Sequence, residues 1–98
     1  MGEPKVVKGE VIIFKHRNFR GHHRHIINEE PNLNHSEDQT LNDQVSSFVV
    51  VKGIWKFYRH KNYQIPYDSD LYPGAYSWVQ DFGIQNDDMS SLKCIREK

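Results

Sequence analysis

The chain carries a single cysteine, Cys94, so it can form no internal disulfide and no cysteine-rich zinc site. It also lacks net charge: 13 Lys and Arg balance 13 Asp and Glu in 98 residues, and no overall field draws a nucleic acid, an anionic membrane or an acidic partner. No apolar run approaches the roughly 20 residues that span a bilayer. The stretch from Met1 to Glu10 has no apolar signal core, so the expected compartment is the cytoplasm, and Asn34-His35-Ser36 would be a glycosylation sequon only in an exported chain. No segment shows a long helical period, and neither a nucleophile with its base nor a pair of pocket carboxylates stands out, so an enzyme is not expected. The length suits one domain of marginal stability, which a bound ion would help.

Strand signals fill the remainder. Val11-Ile12-Ile13-Phe14, His25-Ile26-Ile27, Ser47 to Val51, Ile54 to Tyr58 and Leu92 to Ile95 are β-branched or aromatic runs, punctuated by Pro31, Gly53, Pro66 and Pro73-Gly74. They repeat. Asn42-Asp43-Gln44-Val45-Ser46-Ser47 returns 44 positions on as Asn86-Asp87-Asp88-Met89-Ser90-Ser91, and the same step carries Phe14-Lys15-His16-Arg17-Asn18-Phe19 onto Tyr58-Arg59-His60-Lys61-Asn62-Tyr63. Val11 maps to Trp55 and Phe48 to Leu92. A register held without insertion implies two copies of one supersecondary unit about an approximate two-fold axis, each too small to bury a core alone. The predicted fold is all-β, an eight-stranded sandwich of two four-stranded Greek-key motifs. Trp55 and Trp78 are read as core and Cys94 as a buried filler. The stretch from Leu71 to Trp78 should pack with a single helical turn and a Tyr76 hydroxyl corner.

The repeated polar stretch sets carboxylate, amide and hydroxyl oxygens in a turn, which suits a hard cation, and calcium tolerates such irregular ligand sets better than magnesium. Neither copy is an EF-hand loop, since the glycine at the sixth place and the distal glutamate are missing. One such stretch could simply be a turn bonded to its own backbone. Two copies in register beside two matched aromatic hairpins favour the ion.

Phe14, Phe19 and Gly21 followed by Asn42-Asp43-x-x-Ser46-Ser47, repeated as Tyr58, Tyr63 and Asn86-Asp87-x-x-Ser90-Ser91, resemble the Greek-key motif of the βγ-crystallin superfamily in its calcium-binding form. The resemblance runs from Glu10 to Ile95 and is similar to single-domain microbial and slime-mould members. It implies an extension over 1–9 and one domain over 10–96, divided into Greek keys 10–52 and 53–96. It further implies two Ca2+ ions close together across the pseudo-two-fold. Their expected ligands are the side chains of Asp43, Ser46, Asp87 and Ser90, oxygens at Asn42, Gln44, Asn86 and Asp88, and the carbonyls of Lys15 and Arg59. Ser47 and Ser91 match the structural serine that ties the hairpin. One position departs from the motif: Ile65 stands where the first hairpin has Gly21, so the second hairpin is either rebuilt or strained.

Other constellations carry less. His23 and His25 share a strand face and could hold a transition metal, but no third ligand is evident and Arg24 lies between them. Glu29, Glu30, Glu37 and Asp38 read as a solvated acidic loop. The expected function is a calcium-binding structural, stress or buffering protein, monomeric, with calcium as its partner and no nucleic acid or membrane. The competing class is a protease inhibitor or antimicrobial toxin on the same fold.

Overall fold

Alternation decides the strands. Val11 and Ile13 are wholly buried while Ile12 and Phe14 between and beyond them are partly exposed, the period-two pattern of a sheet with one wet face. The computed structural model describes residues 7–33, 45–84 and 89–96. In chain order the strands are β1 (Glu10–His16), β2 (Arg20–Ile27), β3 (Glu29–Glu30), β4 (Ser47–Lys52), β5 (Ile54–His60), β6 (Gln64–Pro66), β7 (Gly74–Tyr76) and β8 (Ser91–Arg96). A 3-10 helix, Val79–Phe82, precedes β8 and stops at Gly83, whose φ of 81° closes the turn. Among the described residues there is no α-helix.

The strands form two antiparallel sheets, ordered β2-β1-β4-β7 and β3-β8-β5-β6. Each sheet takes three strands from one copy of the repeat and one from the other. β3 leaves the first copy and pairs Glu29 with Lys93 and Glu30 with Leu92, while β7 leaves the second copy and pairs Phe48 with Tyr76. This exchange is why neither half closes alone: removing one copy strips a strand from the other's sheet. Between the sheets lie Val11, Ile13, Phe48, Trp55, Phe57, Met89 and Leu92, with Phe48 and Phe57 meeting at 4.6 Å between ring centroids.

The excursion before β8 packs as the sequence suggests, with differences in detail. The Tyr76 hydroxyl donates to the Tyr72 carbonyl at 2.6 Å, forming the expected corner, and its ring stacks on Phe48 at 4.5 Å. The helical turn falls after Leu71 to Trp78 rather than within it, because Gly74–Tyr76 is drawn out as an edge strand against β4. Trp78 packs against the core but is only half-buried, with the Arg17 guanidinium 4.5 Å from its ring centre, so it borders the core rather than lying within it. Cys94 is also half-buried, packed where Gly9 and Gly53 present no side chain: a Cβ at Gly9 would stand 2.5 Å from its sulfur.

Glu30 corrects the acidic-loop reading. It is 8% exposed, paired with Arg24 of β2 across the gap between the sheets, and accepts from the Asn32 N–H at 3.1 Å.

Candidate functional site

The two aromatic hairpins fold in the same way. Between β1 and β2 the chain turns through Asn18 and Phe19 at φ 59° and 61° and then Gly21 at 82°; between β5 and β6, Asn62, Tyr63 and Ile65 hold 59°, 60° and 55°. Asparagine tolerates this left-handed conformation, whereas an aromatic or β-branched residue adopts it only when its surroundings impose it. A buried serine imposes it here. Ser47 Oγ donates to the His16 carbonyl at 2.6 Å and accepts from the Phe19 N–H at 3.0 Å; Ser91 Oγ does the same with His60 at 2.6 Å and Tyr63 at 3.1 Å. Both serines are completely buried. The turns bring Phe19 edge-on to Phe14 at 5.8 Å and Tyr63 edge-on to Tyr58 at 5.5 Å.

The serine before each of these anchors the polar stretch to its own hairpin. Ser46 N–H donates to the Phe14 carbonyl at 2.9 Å, and Ser90 N–H to that of Tyr58 at 3.0 Å. The β1–β2 register shifts by one residue between Phe14, opposite His23, and His16, opposite Arg20, so that a bulge falls at Lys15, whereas the β5–β6 register runs evenly from Tyr58 opposite Pro66 to His60 opposite Gln64, past Arg59. The Lys15 and Arg59 peptides therefore sit between two carbonyls that successive serines hold. A second pair of bonds crosses the copies: Val79 N–H donates to the Ser46 carbonyl at 2.9 Å and Leu33 N–H to that of Ser90 at 2.8 Å. Each serine pair is thus fixed by its own hairpin and by the other copy's excursion.

Of the predicted ligands, the structure brings Ser46 to the Lys15 hairpin and Ser90 to the Arg59 hairpin. Asn42, Asp43, Gln44, Asn86, Asp87 and Asp88 lie outside the described residues. Among the described residues no three of His, Cys, Asp and Glu form a metal-holding group. The carboxylates that the motif supplies are at positions 43, 87 and 88. Sequence reasoning missed Asn28, at φ 64°, whose side-chain oxygen accepts from Lys8 and Gly9 N–H at 2.7 and 3.2 Å and whose carbonyl accepts from Cys94 N–H at 2.9 Å. Its only sequence signal is an asparagine directly after an apolar strand.

Ile65 keeps the left-handed backbone of the turn, while the pairing beyond it loses the register shift of the first hairpin. Its φ of 55° matches the Gly21 position, and its side chain is 53% exposed. At Gly21 the site is also sterically closed, since a Cβ there would meet the His16 ring at 2.4 Å. Tyr63 differs from its counterpart Phe19 by a hydroxyl that is buried without a hydrogen-bond partner among the described residues. Burial pushes its pKa up from 10.0 to about 12, with Glu29, Glu30 and Tyr58 adding to the rise.

The sequence profile of the family described as Beta/Gamma crystallin matches residues 10–95. The protein belongs to the βγ-crystallin family. It is 30% identical to mouse Beta-crystallin B2 over 98 residues, covering 97% of this chain but 45% of that protein, so the chain spans about half the length of the curated relatives it matches. Among solved structures, a βγ-crystallin from an archaeon superposes with a TM-score of 0.77 at 38% identity, covering 89% of this chain and 98% of that one. One from Methanosaeta thermophila, described as transition-metal-ion-binding, superposes with a TM-score of 0.76 at 34% identity, covering 86% and 98%.

Two predictions arise from the hairpins. Ile65→Gly should raise stability by about 1 kcal/mol, because relief of a left-handed β-branched residue outweighs the added chain entropy. Gly21→Ile should lower it by more, because the His16 ring must also move; chemical denaturation of both variants checks the pair. The raised Tyr63 pKa stabilises the fold in full below pH 10.0, and this contribution is lost as pH rises to about 12, since the unfolded chain releases its proton first. The denaturation midpoint should therefore fall across that window, and the fall should be smaller in Tyr63→Phe.

Proposed function

We propose that the protein binds two Ca2+ ions through its paired polar stretches and is stabilised by them, acting as a structural, stress-related or calcium-buffering protein rather than as an enzyme. The observation that carries this reading is the duplicated serine-held hairpin. At both positions a buried serine forces the turn, and the preceding serine draws the polar stretch onto the peptide of Lys15 or Arg59. The resemblance assigns those peptides as carbonyl donors. A hard cation would find hydroxyl and carbonyl oxygens of Ser46 and Lys15, and of Ser90 and Arg59, joined by the oxygens of Asn42, Asp43, Gln44, Asn86, Asp87 and Asp88. The bonds from Val79 to Ser46 and from Leu33 to Ser90 connect each stretch to the opposite copy, which supports two sites that fill in concert with folding. Metal binding on this fold at a comparable level of identity has a precedent in the name of the Methanosaeta relative.

The mechanism is linkage. An ion that binds only the folded chain stabilises it by about 2.7 kcal/mol per independent site at one hundred times its dissociation constant. In the apo state, carboxylates gathered at 43, 87 and 88 would repel one another, and the ion removes that repulsion. Because the ions add to a fold already held by its serines and core, their effect is on stability rather than on shape.

Calorimetric titration of chelator-stripped protein should show two calcium ions per chain, with magnesium a poor competitor, and calcium should raise the melting temperature. Ser46→Arg and Ser90→Arg should each remove one ion. Two ions retained in both variants would defeat the assignment. A melt unmoved by calcium, together with inhibition of a protease or of microbial growth, would favour the inhibitor or toxin reading instead.

A further inference from the structure

The outer face of β2 carries a second constellation that the paired hairpins do not use. Residues His23 and His25 stand two apart on an edge strand, opposite Phe14 and Ile12 of β1, and both are exposed. The two features that weigh against them in the sequence are reversed by the fold. Arg24 lies opposite the buried Ile13, on the other side of the strand, and its guanidinium is neutralised by Glu30. A third polar group is present: Glu10 of β1 places Oε2 2.5 Å from His25 Nε2.

A carboxylate can only accept, so this contact fixes the proton of a neutral His25 on Nε2 and leaves Nδ1 with its lone pair. Carboxylate, imidazole and a free ring nitrogen in that order form the arrangement by which proteins orient a metal-binding histidine. The His23 ring rests on Phe14 at 5.5 Å between centroids, on the same outward face of an edge strand. Strand residues two apart lie about 6.6 Å from one another, a separation that two imidazoles span around a single ion.

We infer that His23 and His25 form a surface site for one divalent transition-metal ion, with Glu10 orienting His25 and water completing the shell. Two neutral imidazoles select nickel, copper or zinc over calcium and magnesium. The site shares no residue with the proposed calcium ligands, so either reading can fail without the other.

The test is calorimetric titration of the calcium-saturated protein with Ni2+. The expected result is one ion per chain, binding weakened by acid, abolished in His23→Ala and in His25→Ala, weakened severalfold in Glu10→Gln and unchanged in His22→Ala. In proton spectra of the unmutated protein, the ring resonances of His23 and His25 should broaden before those of His16, His22, His35 and His60. No nickel bound, binding that survives His25→Ala, or earlier broadening at another histidine would overturn the proposal. Calcium-saturated protein with the same nickel stoichiometry as chelator-stripped protein supports a separate site, whereas nickel displaced by calcium would overturn it.

Discussion

The rest of the molecule depends on the hydrogen-bond pair made by each buried serine. Ser47 and Ser91 each satisfy a carbonyl before a turn and an amide within it, so the chain can hold consecutive left-handed residues, including an aromatic, that it would otherwise avoid. Those two bonds lie in a buried setting, where leaving a partner unmade costs about 1–3 kcal/mol. They also tie the start of β4 to the first hairpin and the start of β8 to the second. The same contact that folds the hairpin thereby positions the residue immediately before it, Ser46 or Ser90.

Strand exchange then makes the two copies interdependent. β3 completes the sheet of the second copy and β7 that of the first, while Leu33 and Val79, both fully buried, reach across to the serine carbonyls of the opposite copy. An ion bound at either stretch, as proposed, would therefore press on both halves of one core. The copies are nonetheless unequal. The first hairpin has glycine where the backbone demands it and the second has a strained isoleucine, and the second alone carries a buried tyrosine hydroxyl. The two proposed ion sites would therefore rest on unequal hairpins, a physical basis for unequal affinities.

Much of this was legible in the sequence because duplication doubles every signal. The hairpins, the eight strands and the Tyr76 corner follow from residue type and the 44-residue step, and the role of Ser47 and Ser91 from the resemblance that those repeats carry. Long-range pairing was not legible. Nothing local to Glu30 announces burial, because the cause is Arg24 on another strand, and nothing local to Trp78 announces its partial exposure under Arg17. The fate of Ile65 was open for a similar reason: strain and rebuilding look alike until its φ of 55° shows the turn kept, while the pairing of Tyr58 with Pro66, without the register shift of the first hairpin, shows the strand after it altered. Of the candidate ligands, the serines and hairpin peptides are placed, and the six at 42–44 and 86–88 lie outside the described residues.

The chain thus presents a βγ-crystallin domain whose two serine-held hairpins are suited to calcium. Its outward β2 face is suited to a softer metal. The measurement that bears most directly on the central claim is a crystal structure of the calcium-loaded protein with an anomalous difference map. The account predicts two peaks, each coordinated by the side chain of Ser46 or Ser90 and by a carbonyl of Lys15 or Arg59. Peaks elsewhere on the surface, or ordered polar stretches with none, would contradict it.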